Sequence, residues 1–358
     1  MSTQSVPLSM TPDYQTCFGG PDLPSGRLRD LLAEHIQAVP AGGSIDWITY
    51  YFRDRRLAEL LLQAHRRKVK VTVTLEGNPH VPHANSAVIA MLSGAQGLGE
   101  GLRVLDLPPI MQIPAGKRVN PNLHEKLYCF SHPTPVAFIG SFNPSGDDSE
   151  ESPEIIDIIG DHNRAHNVLV GIMEPVLVEG LLNHARWVHG TQHGTLKRFF
   201  AKGNRTLCGR NTEIHFLPRA QSHAVALFLR RFGDGARIRI AASHLNGISS
   251  INTLSKLARR GASVEILAES TLRRVSLKAE RLLIEAGAAF RRVTHPDNLP
   301  MHNKFMLVEQ NQQRWIVFGS YNWSTKSFWI NQEICVISRD AQLFKTFADR
   351  WEVIEAQA

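Results

Sequence analysis

Cysteine is scarce in this chain. Cys17, Cys129, Cys208 and Cys335 are scattered through 358 residues without a CxxC pair, a spacing that suggests neither a disulfide framework nor a zinc site. Cys129 and Cys335 fall inside apolar, strand-like runs, where a thiol usually serves as a small core residue. No stretch of about 18 apolar residues occurs, so nothing is expected to span a membrane. The opening residues, MSTQSVPLSMTPDY, have neither a basic leader nor an apolar core, so no signal peptide is expected. Acidic residues are also in deficit: 33 Asp and Glu against 40 Lys and Arg give a formal charge of +7 and a pI of about 9.4. Such a surface favours anionic partners: nucleic acid, phospholipid headgroups or another phosphorylated molecule. A hydrophobic fraction of 43% fits a soluble globular protein, long enough for two domains or one two-lobed unit. The expected location is the cytoplasm, with any peripheral membrane contact at the inner face.

What is present is a repeat. RLRDLLAEHIQAV (27–39) has helical periodicity, SIDWITYYF (44–52) reads as a strand, LAELLLQAHRR (57–67) as a helix and VKVTVTL (69–75) as an alternating strand. The second half replays this order in HAVALFLRRF (223–232), ARIRIAAS (236–243), INTLSKLARRG (251–261) and SVEILAE (263–269). Strands alternating with helices imply parallel βαβ units, and an α/β sandwich in each half. The last strands are NVLVGIM (167–173) and EICVISR (333–339). We expect a first lobe over residues 1–190, a connection rich in Gly and basic residues over 191–215, and a second lobe over 216–358. Two inserts set the halves apart. LPPIMQIPAGKRVN (107–120) reads as a packed loop or as a lid that touches substrate or membrane. DDSEESPEIIDIIGD (147–161) reads as a solvated face that would repel long polyanions if it lay near an active site.

The repeat carries chemistry. LHEKLYCF followed by GSFN supplies His124, Lys126, Ser141 and Asn143; MHNKFMLV followed by GSYN supplies His302, Lys304, Ser320 and Asn322. The two histidines are 178 residues apart and the two serines 179. Positions two apart on a strand face one side, so each His emerges beside its Lys. A phosphodiester repels nucleophiles and has a basic leaving group. One neutral imidazole can attack phosphorus while a protonated one donates to the leaving oxygen, and no metal is required. The lysines would neutralise the non-bridging oxygens, and Asn143 and Asn322 would donate neutral hydrogen bonds to them. Ser141 and Ser320 would support the histidines or the turn. These residues do not themselves order the two histidines.

In these motifs the sequence resembles the phospholipase D superfamily, whose pattern is HxK, four residues, Asp, then GSxN. The resemblance runs from about residue 27 to 340, as two fused copies. It implies a pseudo-twofold αβαβα sandwich: two mixed β-sheet lobes flanked by helices, with the HxK pairs meeting at the lobe interface. It further implies a covalent phosphohistidine route, no metal and no cofactor, with His124 as nucleophile and His302 as acid. The family aspartate falls at Ser131 and at Glu309, of which Glu309 keeps a carboxylate. A second acidic position that orients a catalytic histidine falls at Glu333 and, in the first half, at His166.

Three functions fit. The favoured one is a phospholipid phosphodiesterase or phosphatidyl transferase, supported by the apolar loop, the acidic insert and aromatics near the second motif (Trp315, Tyr321, Trp323, Phe328, Trp329). Trp315 and Phe328 among these are expected in the core. The second is a nuclease of the same superfamily, for which RRKVK (66–70) and LKRFFAKGNR (196–205) could follow a phosphate backbone. The third is a non-enzymatic descendant that binds a phosphorylated ligand. An internal pseudo-dimer needs no second chain to complete its site.

Overall fold

The computed structural model describes residues 13–112, 118–146, 153–191, 197–200, 204–220 and 224–358. The first lobe comprises β1 (Tyr14–Gly19), α1 (Arg27–Ala38), β2 (Ser44–Thr49), α2 (Arg55–Arg66), β3 (Lys70–Glu76), α3 (Ser86–Ser93) and β4 (Leu102–Leu105). It continues through a small hairpin of β5 (Met111–Gln112) and β6 (Arg118–Val119), then β7 (Leu127–Phe130), β8 (Val136–Gly140), α4 (Pro153–Ile159), β9 (Asn167–Ile172) and α5 (Pro175–Gly190). The second lobe comprises β10 (Leu207–Cys208), β11 (Thr212–Leu217), α6 (Ala224–Leu229), β12 (Arg237–Ala242), α7 (Ile248–Arg259), β13 (Ser263–Glu269), α8 (Leu277–Glu285) and β14 (Ala289–Val293). It ends with β15 (Lys304–Gln310), β16 (Gln313–Gly319), α9 (Thr325–Trp329), β17 (Glu333–Ser338) and α10 (Ala341–Glu355).

The sheets run β1-β9-β8-β7-β2-β3-β4 and β10-β11-β17-β16-β15-β12-β13-β14. Strands joined through crossover helices pair in parallel, β2 with β3 and β12 with β13. Strands joined by tight turns pair antiparallel, β7 with β8 and β15 with β16, because only a crossover can return a chain in the same direction. Both sheets are therefore mixed. β2, β7, β8 and β9 are buried along almost their whole length, which is why β7, β8 and β9 read as nearly continuous apolar runs. The helices α1, α2 and α3 cover the outer face of the first sheet around Leu32, Leu61 and Val88. Helices from α6 to α9 cover the outer face of the second around Phe228, Leu254, Leu283 and Phe328. Between the sheets lie α5 and α10, whose Leu181, Val188, Phe347 and Trp351 share one core with both. α5 also touches β10, and α10 touches β1, so each central helix ties its own lobe to the other. The result is the five-layer αβαβα arrangement.

Local chemistry sets the element ends. Asp54 and Asp340 accept the backbone N–H groups of Leu57 and Leu343, both at 2.7 Å, capping α2 and α10. Pro175 opens α5, where its missing N–H costs nothing.

Some elements depart from the sequence expectation. β1 lies in the polar leader and pairs with β9; six residues beside Pro-rich segments offer too little pattern to read. Thr212–Leu217 is a full strand paired to β17, so the expected boundary at 216 falls inside the second sheet. The surrounding Gly and basic residues mask its alternation. The helix expected over 223–232 is Ala224–Leu229, with His223 outside the described residues. Among the described residues no helix is long and apolar enough to cross a membrane.

Candidate active site

The two HxK segments enter the interface by matching routes. Glu76, at the end of β3, accepts the backbone N–H of Leu123, and Glu269, at the end of β13, accepts that of Met301 at 2.7 Å. Each carboxylate pins the residue just before a motif histidine. Across the interface, the amide of His124 donates to the Gln332 carbonyl (2.9 Å), and the amide of His302 to the His166 carbonyl (3.0 Å). Each segment is thereby sewn to the strand entry of the opposite lobe.

The glycines of the two GSxN turns have a steric reason. A Cβ on Gly140 would lie 1.9 Å from the Val168 carbonyl oxygen, and one on Gly319 2.1 Å from that of Ile334. Only glycine permits this approach of β8 to β9 and of β16 to β17. The close approach lets Ser141 Oγ accept from Val168 N and Ser320 Oγ from Ile334 N, both at 3.0 Å.

Each serine then passes its own proton onward. Ser320 donates to Glu333 Oε2 (2.6 Å), which also faces His124 Nδ1 at 2.9 Å. Ser141 donates to Asn167 Oδ1 (2.9 Å), which faces His302 Nδ1 at 2.8 Å. The two arrangements superimpose in logic and differ in one group: a carboxylate serves His124, an amide serves His302. Asn167 Nδ2 donates to the His162 carbonyl at 3.2 Å, which leaves its oxygen facing the imidazole. An amide oxygen only accepts, so His302 carries its proton on Nδ1. Among the described residues neither Nε2 has a protein partner. In each motif the lysine ammonium donates to the carbonyl of its own histidine at 2.8 Å.

The electrostatics are those of a buried cationic site. Burial lowers His124 to about 4 against the opposing pull of Glu333. It drives His302 well below its ordinary value, helped by Lys304, the neighbouring His162 and Arg274. Burial also brings Lys126 down to about 7, with Glu333 opposing, and pushes Lys304 well down, reinforced by Lys126. Cations are held together here with little compensating charge, so an entering anion would stabilise all of them.

His124, His302, Asn143 and Asn322 line one cavity of about 190 Å³. Sequence reasoning missed several of its other walls. Tyr50 packs edge-on to His124 with ring centroids 5.0 Å apart, and His162 lies 4.3 Å from the His302 ring. Tyr51, His244 and Arg274 also line it. Tyr51 and His244 occupy the same place after β2 and β12, so aligning the repeat two residues further would have found that pair.

The remaining expected features fall as follows. His166 does not hold His302 with its side chain: its imidazole turns the other way, to Gln357 (3.0 Å) and Arg350 (3.0 Å). Side chains alternate at the entry to β9, so the next residue, Asn167, faces the site. Glu309 is not brought to the site. It sits five residues beyond Lys304, about 17 Å along an extended strand, paired to Arg239 (3.0 Å) and Arg314 (3.2 Å). Ser131, its counterpart, accepts from Ser44 N at 2.7 Å, so this family position acts on sheet ends. Of the acidic insert, residues 147–152 lie outside the described residues; the rest forms α4, whose Ile158 and Ile159 wall the cavity. Arg273 and Arg274 hold their carbonyls at 3.0 and 2.7 Å. Of the Pro-rich loop, 113–117 lie outside the described residues, and none of its described residues lines the cavity.

A duplicated α/β sandwich with paired HxK and GSxN motifs at its lobe interface is a protein of the phospholipase D type. The family model described as cardiolipin synthase, PLD-like domain, matches residues 35–170 and 235–354, and the chain belongs to that family. No curated protein matches it by sequence. Among solved structures it is similar to the phosphatidylserine synthase of Haemophilus influenzae Rd KW20, with a TM-score of 0.66 at 12% identity over 96% of this chain and 86% of that one. It is also similar to the polyphosphate kinase of Porphyromonas gingivalis, with a TM-score of 0.61 at 12% identity over 95% of this chain. The match spans 46% of that kinase. At such identity these likenesses concern the fold.

Proposed function

We propose that the chain is a phosphodiesterase or phosphatidyl transferase acting on phospholipids through a phosphohistidine at His124. The observation that carries this reading is the unequal pair of histidines on one cavity, each with Nδ1 held from the other lobe's strand entry and Nε2 left open. When Nε2 of His124 bonds phosphorus its ring becomes cationic, and the Glu333 carboxylate stabilises that charge. His302, held by a neutral amide, is the stronger acid when protonated and gives its Nε2 proton to the leaving oxygen as the P–O bond breaks. Water or an alcohol then attacks phosphorus, passes its proton to His302, and the P–N bond breaks. Lys126, Lys304, Asn143 and Asn322 stabilise the non-bridging oxygens. The scheme needs no metal and no cofactor.

The cavity of about 190 Å³ is roughly six times the ~30 Å³ share of one water. It suits a phosphodiester with a small headgroup, while acyl chains stay outside. The membership in a cardiolipin synthase-like family supports the lipid class. The test offers the protein phospholipid vesicles, single-stranded DNA and double-stranded DNA in EDTA, beside His124→Ala, with products followed by mass spectrometry. Headgroup release or exchange lost in the variant is expected. DNA cleavage lost in the variant would replace the lipid reading with a nuclease, and silence on every substrate would leave a phosphate-binding role.

A further inference from the structure

The five aromatics around the second motif do not share one fate. Trp315, Tyr321, Trp323 and Phe328 are buried, whereas Trp329 is 41% exposed. Trp329 ends α9, and Lys326, one turn earlier on the same helix, lines the catalytic cavity. Trp329 itself lines a second cavity of about 670 Å³ together with Ile248, which is 74% exposed at the start of α7. The cations of that groove are Arg230, Lys256 and Arg260. None of the three has a carboxylate partner among the described residues. The one helix α9 thus borders both the site that would take the phosphate and a groove that exposes an indole, an aliphatic side chain and three uncompensated charges.

Resting on the lipid reading of the active site, we propose that this groove is the membrane-docking surface, and that its occupant is an anionic phospholipid leaflet. Exposed apolar side chains ringed by cations suit the interface between headgroups and acyl chains, where the indole and Ile248 leave water and the cations meet phosphates. A single nucleic-acid strand would stack on Trp329 and would leave Ile248 without a role. Docking here also holds acyl chains outside the small cavity while a headgroup crosses α9 into it.

The test uses the full chain with vesicles of 30% phosphatidylglycerol in phosphatidylcholine, a thirty-nucleotide oligo-dT, and dihexanoyl phosphatidylglycerol as a monomeric substrate. Ile248→Ser with Trp329→Ser is expected to weaken vesicle binding about 30-fold. Replacing Arg230, Lys256 and Arg260 by Gln is expected to weaken it about 100-fold, near five-fold for each charge. Both variants should lose turnover on vesicles and keep it on the monomeric lipid. Wild-type Trp fluorescence should be quenched by brominated lipid, and Trp329→Phe should remove that quenching, a readout that needs no disruptive variant. Vesicle binding unchanged in both groove variants overturns the proposal, as does oligo-dT binding at the groove without vesicle binding. Failure of the wild type on vesicles and monomers alike would sink the lipid reading instead, because docking is scored by binding and not by turnover.

Discussion

Asn167→Asp makes the two halves of the site alike and tests the division of labour between the histidines. The new carboxylate would stand where the amide oxygen now lies, 2.8 Å from His302 Nδ1. His302 sits well below its ordinary value because burial, then Lys304, His162 and Arg274, disfavour its charged form. An anion at this distance favours the imidazolium and offsets that loss, moving the group upward by about 1 to 3 pH units. Turnover needs His302 protonated and His124 neutral at once, so raising His302 enlarges the competent fraction, and the limb of the kcat/KM profile that His302 sets shifts upward by that amount. The limb set by His124 should move much less. Ser141 can still donate to the new oxygen, while the bond from Nδ2 to the His162 carbonyl is lost at a cost of about 1 to 3 kcal/mol. Folding would be checked by thermal melting beside the kinetics. A folded variant in which neither limb moves would refute the assignment of His302 as the titrating acid.

Three further outcomes follow from the same geometry. His302→Ala should lose about 100- to 10,000-fold on an alkyl phosphodiester but far less on a nitrophenyl ester, whose leaving group needs no proton; His124→Ala should fail on both, as measured by steady-state rates. Gly140→Ala and Gly319→Ala should each destabilise the fold by more than about 3 kcal/mol in urea denaturation, because the added Cβ meets a carbonyl oxygen at 1.9 and 2.1 Å. Glu76 is raised by burial to about 7 from 4.5, so the stability it confers is fully present below about pH 4.5 and lost as pH rises through 7. That difference corresponds to about 3 kcal/mol, and Glu76→Gln should remove that part of the pH slope in urea midpoints.

The motifs were readable because each is contiguous and each half repeats it with the same local spacing. The βαβ order was equally plain, since α2 and α7 bury one apolar face and the strands beside them alternate or run apolar. The partner of His302 was not. Asn167 follows Ser141 by 26 residues and Glu333 follows Ser320 by 13, so the insert carrying α4 breaks the register from which the matching position is counted. An error of one residue there exchanges faces of the strand, which is how His166 came to stand in for Asn167. His162 and Arg274 come from loops outside the repeated segments, and only the folded interface brings them to the histidines. The carboxylate at 309 shows the opposite case: a residue legible from the family pattern whose work is at a strand end, with Arg239 and Arg314.

The central claim is that His124 carries the phosphoryl group. Rapid acid-free quenching during turnover of phosphatidylglycerol in EDTA, followed by mass spectrometry of the peptide containing LHEK, tests it directly. The account predicts a phosphatidyl adduct on His124 that decays at the turnover rate and is absent from His124→Ala. An adduct on His302, or turnover with no adduct and inversion of configuration at phosphorus, would contradict it.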